Sequence, residues 1–258
     1  MRPLCSAILR VKNEAKWIDE VLRSIYPVCH RIFVLDDHST DETATICWQF
    51  PNVTVFDSPF DTLDESRDKE WLYRRVLDAY GSGPHGVHWP EWILAIDGDE
   101  VLDRRDISRL VSLMTDYPDA VAWKLRIIYL WNDRRHKRVD GVYGQFARPS
   151  LWKVVNPAFG FLSTPWGRDP QTGEPVNFHC SSIPQELLAS AEWSEVRLNH
   201  LGYMDVNDRL RKYRWYNEID AGNPAEDGYR HVVQGDVEEV PAGAKLMHAG
   251  PLCLVEVE

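Results

Sequence analysis

The first 131 residues repeat one pattern four times: a short apolar run, a polar turn, then apolar residues at helical spacing. Leu4 to Arg10 is the first run. It ends in Val11-Lys12-Asn13-Glu14, after which Ala15, Ile18, Val21, Leu22 and Ile25 mark a helix that Pro27 stops. Arg31 to Leu35 is the second run and ends in Asp36-Asp37-His38-Ser39-Thr40-Asp41. Ser39 or Thr40 suits the N-cap of a helix from about Asp41 to Gln49. Val53 to Phe56 precedes a long helix from Asp64 to Tyr80. Trp92 to Ile96 precedes a helix on Ile107, Leu110, Val111 and Met114, and Ala120 to Trp131 is one more strand. Runs without alternation belong to strands buried on both faces. Strand and helix in alternation predict an α/β fold with a mostly parallel sheet and helices on both faces.

Such sheets bind ligands beyond the carboxyl ends of their strands. Three polar clusters fall there: Val11 to Glu14, Asp36 to Asp41, and Asp97-Gly98-Asp99-Glu100. Side chains at i and i+2 of an extended segment leave on one side, so Asp97 and Asp99 can converge on one cation. Gly98 between them lets a ligand approach the backbone. Acids so placed suit a hard divalent metal that itself holds phosphate oxygens. Each motif also has a plainer reading. Asp36 and Asp37 cap a helix, Arg67 pairs with Asp64 or Glu70 on a helix surface, and His200 is a satisfied structural histidine.

Charge and cysteine content narrow the class. A net charge of −11, from 29 basic and 40 acidic side chains, argues against a nucleic-acid partner. The longest apolar runs are five or six residues, far short of a bilayer span. The start of the chain carries no apolar signal segment. The five cysteines show neither zinc spacing nor close pairing, which favours a reduced, cytoplasmic setting. The pattern divides the chain into halves, 1–131 and 132–258, of one compact domain.

The second half is less periodic. Arg134-Arg135-His136-Lys137-Arg138 reads as a solvated hairpin tip, with contact to an anionic acceptor as the lesser alternative. Residues 145–200 are rich in Pro, Gly and Trp and read as loops and short strands over one sheet edge, with Trp166 as the best sugar-stacking candidate. Asn207 to Asp220 is a helix with Leu210, Tyr213 and Ile219 on one stripe. Its Arg209, Arg211, Lys212 and Arg214 suit peripheral contact with an anionic membrane, and packing of its aromatics against the sheet explains it as well.

Taken in order, Val11-Lys12-Asn13-Glu14, Asp36 to Thr43, Arg67 in its helix and Asp97-Gly98-Asp99-Glu100 resemble family 2 glycosyltransferases of the GT-A fold. The resemblance covers roughly the first half. A weaker match at His200-Leu201-Gly202-Tyr203-Met204-Asp205 and Arg211-Lys212-Tyr213 is similar to a bacterial branch that adds sugars to lipopolysaccharide core or other glycans.

The resemblance implies a nucleotide-sugar-binding half (1–131) and an acceptor-side half (132–258). Arg10 and Val11 would lie against the base and ribose, and Asp37, with Asp36 beside it, would bond the base. Arg67 would reach the nucleotide or its phosphates. Asp97 would lie near ribose and metal, Asp99 would bind Mg²⁺ or Mn²⁺ directly, and His200 would approach the metal or diphosphate. The implied donor is a UDP- or GDP-linked sugar and the acceptor a glycan, lipid-linked or small-molecule hydroxyl, on the inner side of the membrane. A metal stabilises the charge that develops on a departing diphosphate, and the acceptor hydroxyl needs a general base. Members of the family mostly invert the anomeric centre with an Asp or Glu of the second half. Where relatives show His-Glu, this chain has His179-Cys180; Glu186, Glu174 and Asp169 are the substitutes, with Glu186 preferred. Two rivals stand beside this reading: a nucleotide-sugar-binding protein without catalysis, and a phosphohydrolase with an Asp-Xaa-Asp nucleophile. In the latter architecture the motif follows the first strand, whereas here it follows the fourth.

Overall fold

A computed structural model of the chain describes residues 5–81, 91–154, 183–219, 229–236 and 252–257. Trp166, Asp169, Glu174, His179 and Cys180 fall outside them. Among the described residues, ten strands and six α-helices follow one another: β1 (Cys5–Val11), α1 (Ile18–Ile25), β2 (Cys29–Asp36), α2 (Thr43–Cys47), β3 (Val53–Asp57), α3 (Glu65–Gly81), β4 (Trp92–Ala95), β5 (Glu100–Leu102), α4 (Ile107–Thr115), β6 (Ala122–Tyr129), β7 (His136–Arg138), β8 (Ala147–Lys153), α5 (Gln185–Leu188), β9 (Ala191–His200), α6 (Val206–Ile219) and β10 (Leu254–Glu256).

Eight strands form one sheet in the order β3-β2-β1-β4-β8-β6-β9-β5. β3, β2, β1 and β4 are mutually parallel, and β8 joins β4 antiparallel. The α/β expectation of a mostly parallel, GT-A-like sheet with helices holds. The cause is visible in the burial. Ile32 to Asp36 are consecutive buried residues, as are Trp92 to Ile96, so both faces of these strands are covered. α1 buries Ile18, Val21, Leu22 and Ile25, a single i, i+3, i+4, i+7 stripe.

Contacts divide the chain into two units. Residues 1–125 with 147–196 form the first, and 126–146 with 197–258 the second; the divisions fall within β6 and β9. The core of the first joins Ile8, Phe33, Leu35, Leu72, Val76, Ile93 and Trp152. That of the second joins Trp131, Tyr143, Tyr203, Tyr229 and Val232. There the last residue of the basic run, Arg138, departs from the solvated reading, while Arg134 and Arg135 are exposed. Arg138 is buried, its guanidinium 4.6 Å from the Trp131 ring and 4.1 Å from Tyr143, and it pairs with Asp140 at 2.9 Å. β7 is fixed by antiparallel pairing of Arg138 with Leu254. In α6, Arg209 and Lys212 also turn inward, Arg209 onto Asp236 and the Trp131 ring, so half of that helix's basic set is internal. Among the described residues, no helix is long and apolar enough to cross a membrane.

Candidate functional site

Parallel register puts three strand ends on one rim of the first unit. Val11 closes β1 opposite Asp36 of β2, and Ile8 pairs with Ala95 of β4. Beyond the strands the ladder runs on for one bond each side: Asp37 N–H donates to the Val11 carbonyl at 2.8 Å, and Ile96 N–H to Ile8 at 3.3 Å. The turn after β1 and the turn after β2 are stitched into one piece. Asn13, held at φ 54°, donates its N–H to Ser39 Oγ at 2.9 Å, and its side-chain oxygen accepts from Thr40 N–H at 2.8 Å. Glu14 N–H donates to Thr43 Oγ1 at 2.8 Å. Ser39 and Thr40 therefore serve the neighbouring turn and do not cap α2, whose first N–H is met by Asp41 Oδ1 at 3.0 Å.

Gly98 has a packing role that the acidic spacing did not suggest. A Cβ there would lie 2.9 Å from Glu14 Cγ and 3.0 Å from Val11 Cγ1. The turn after β4 is thus pressed against the turn after β1, and any side chain at 98 would have to displace Glu14 and Val11.

An ion-pair network wires the rim together through the start of α3. Arg10 donates to Asp37 and, through Nε, to Asp68 at 3.1 Å. Lys12 reaches the same Asp37 oxygen at 3.3 Å. Arg67 pairs with the other oxygen of Asp68 at 2.7 Å, and its guanidinium lies 3.9 Å from the Phe60 ring. Its neighbours at helical spacing have other work: Asp64 accepts the Arg67 backbone N–H at 3.0 Å, and Glu70 pairs with Arg74 at 2.6 Å. Next along the helix, Lys69 donates to Asp97 Oδ1 at 3.1 Å. Arg148 of β8 donates to Asp97 Oδ2 at 2.6 Å and to Glu100 Oε2. Glu100 Oε2 also accepts the Asp97 N–H at 3.0 Å, and the Glu100 N–H returns to the Asp97 carbonyl at 3.1 Å.

The charges respond to this wiring. Burial alone would raise the Asp97 carboxyl, but Arg148 and Lys69 outweigh it and hold Asp97 far below the usual carboxylate range. Burial lifts Glu100 to about 7, against the pull of Arg148 and with Asp97 and Asp99 adding to the rise. Burial also raises Asp68, with Arg67 and Arg10 opposing it.

Of the residues singled out by sequence, Arg10, Val11, Asp36, Asp37, Arg67, Asp97 and Asp99 belong to this rim and its network. Asp36 and Asp37 are buried, Asp36 accepting the Ser39 N–H at 3.3 Å; Asp99 is buried as well. His200 lies in the second unit, its ring 4.4 Å from Tyr203 and 5.1 Å from Tyr129. Glu186 lies in α5, on a side chain outside the described set. Sequence reasoning missed Lys69, Asp68 and Arg148. Lys69 and Asp68 stand beside Arg67, so their helix position was a usable signal. Arg148 carries none, because only the register of β8 against β4 brings it near. Leu94 pairs with Leu151, and continuing that antiparallel register three residues sets Arg148 across from Asp97.

The donor chemistry bears on a metal. Among the described residues, no group of three or more His, Cys, Asp or Glu side chains is arranged to hold one. A cation that arrives with a diphosphate needs only one or two protein carboxylates, the remaining sites going to phosphate oxygens and water. Of the two acids at the end of β4, Asp97 has both oxygens engaged by Lys69 and Arg148, and Asp99 is the carboxylate that suits a cation of that kind.

No family model matches the chain. It is similar to an uncharacterized protein of Mycobacterium bovis and to another of Mycobacterium tuberculosis. Each is 23% identical over 273 residues, with 93% of this chain and 62% of the relative covered. The chain thus spans less than two thirds of the length of these curated relatives. Among solved structures, glucosyl-3-phosphoglycerate synthase from Mycobacterium tuberculosis, in complex with Mn²⁺, uridine-diphosphate and phosphoglyceric acid, is 19% identical at a TM-score of 0.34. That match covers 49% of this chain and 43% of the other. A 4-diphosphocytidyl-2C-methyl-D-erythritol synthase is 13% identical at a TM-score of 0.45, covering 76% and 90%.

Proposed function

We propose that the chain is a transferase that moves a sugar from a nucleotide-sugar donor to a hydroxyl acceptor on a glycan, a lipid-linked glycan or a small molecule. One observation carries the reading: the turns after β1, β2 and β4 lie side by side on one rim and bring their acids with them. In this reading Asp37 and the end of β1 at Arg10 and Val11 receive the base, and Arg67 faces the phosphates. Asp99 holds Mg²⁺ or Mn²⁺, which when bound would supply Lewis-acid stabilisation of the leaving diphosphate. Glu186 is the proposed base for the acceptor hydroxyl, with inversion of the anomeric centre. The phosphohydrolase rival requires a carboxylate oxygen free to attack phosphorus, and both Asp97 oxygens are engaged by cations.

The experiment mixes the protein with UDP- and GDP-sugars and Mn²⁺ and follows acceptor-dependent release of nucleoside diphosphate, or slow donor hydrolysis. Asp99→Ala should abolish the activity while the circular dichroism spectrum and melting temperature stay unchanged. Full activity in that variant would refute the cation assignment. Tight donor binding without turnover on any acceptor would favour a binding protein.

A further inference from the structure

We propose that Arg148 is a positioning residue for the sugar transfer: its guanidinium, forked between Asp97 and Glu100, sets the turn that presents Asp99. The inference rests on the transferase reading and adds to it a residue from outside the motif half. Arg148 is almost fully buried, with 5% of its side chain exposed, and so are Lys69 at 1% and Glu100 at 2%; Asp97 is the open member at 32%. The two cations stand behind the carboxylate. Asp97 turns toward solvent at the rim with both oxygens already held from within.

Three sets of contacts hold the turn. Arg148 holds Asp97 and Glu100 together, so the two ends of a four-residue segment are fastened to one planar group. The Asp97 N–H donating to the Glu100 carboxylate and the Glu100 N–H donating to the Asp97 carbonyl close the turn from within. Gly98 is pressed on Glu14 and Val11. Asp99 is the residue between these fixings, so its direction follows from theirs. A lysine at 148 could hold one carboxylate or the other but lacks the fork that holds both.

If Arg148 acts through this turn, its loss and the loss of Asp97 report the same event. The test is a double-mutant cycle of Arg148→Met and Asp97→Asn, with Arg148→Lys as the conservative variant and Asp99→Ala as control. Each protein is measured for kcat and KM with the nucleotide sugar, for calorimetric binding of UDP and GDP with Mn²⁺, and for melting temperature. Arg148→Met should lower kcat at least tenfold and weaken Mn²⁺-dependent diphosphate binding. Arg148→Lys should recover part of both. The double variant should be within about twofold of the worse single variant, because coupled residues are not additive. Singles that multiply in the double, or an Arg148→Met enzyme with wild-type kcat and binding, would overturn the proposal. If Arg148→Met does not fold, the cycle is run with Arg148→Lys under the same criteria. A damaged Asp99→Ala beside an undamaged Arg148 series refutes this inference alone. No Mn²⁺-dependent diphosphate binding in the parent, and no change in Asp99→Ala, refutes the transferase reading and this inference with it.

Discussion

Gly98→Ala isolates the contact between the turns after β1 and β4. The new Cβ would stand 2.9 Å from Glu14 Cγ, 3.0 Å from Val11 Cγ1 and 3.2 Å from Glu14 Cβ. Carbon atoms pack at about 3.5–4.0 Å, so the closest overlap is on the order of 0.6 Å. Neither neighbour gives way easily. Val11 is a buried, β-branched residue of β1 with few rotamers. Glu14 Cγ can swing about χ1, but Glu14 Cβ is held by the backbone, which donates N–H to Thr43 and accepts from Trp17 and Ile18. Overpacking of this kind costs about 1–3 kcal/mol. Against it stands the smaller entropy of the unfolded chain on Gly→Ala, about 0.4–1 kcal/mol, realised because no positive φ is required at this glycine. The overlap wins, and the net loss should be about 1–2 kcal/mol. Urea unfolding followed by tryptophan fluorescence would show it as a lower midpoint at unchanged slope. Adding Val11→Ala removes one clashing methyl, so the double variant should be less damaged than the sum of the singles by at least about 0.5 kcal/mol. A Gly98→Ala protein as stable as its parent, or strict additivity with Val11→Ala, would refute the close packing of the two turns.

Arg138→Met should destabilise the protein by about 3–5 kcal/mol in the same unfolding assay, because it strands the buried Asp140 carboxylate; a loss below 1 kcal/mol would show that water already reaches Asp140. Thiol labelling at pH 8 should divide the described cysteines: Cys253 is exposed and reacts at once, whereas Cys5, Cys29 and Cys47 are buried and react only on opening. Burial pushes the Cys47 thiol up to about 12, so its labelling should track global unfolding, and prompt native-state modification mapped by mass spectrometry would contradict its placement.

How much of this was legible follows from the range over which each feature is encoded. β1, β2 and β4 declare themselves because burial on both faces requires unbroken apolar runs, and their rim acids sit within a few residues of the run's end. A local pattern suffices for both. The wiring behind the acids is another matter. Lys69 meets Asp97 across 28 positions and Arg148 meets it across 51, and no spacing rule links them. Polarity misled in the same way at Arg138. In a run of five basic residues it looks solvated, but strand pairing with Leu254 turns it inward onto Trp131 and Tyr143, where Asp140 offsets its charge. Asp97 joins the two cases. The spacing that suggests a cation ligand presumes an extended segment, whereas Asp97 to Glu100 closes into a turn, and the cations Asp97 meets in the fold are Lys69 and Arg148 of its own chain. An acidic motif read alone therefore specifies negative charge at a strand end. Which positive charge answers it is decided by the register of distant strands. That is why the roles of Asp97 and Asp99, two residues apart in the same motif, have to be separated by the Arg148 cycle and not by the motif itself.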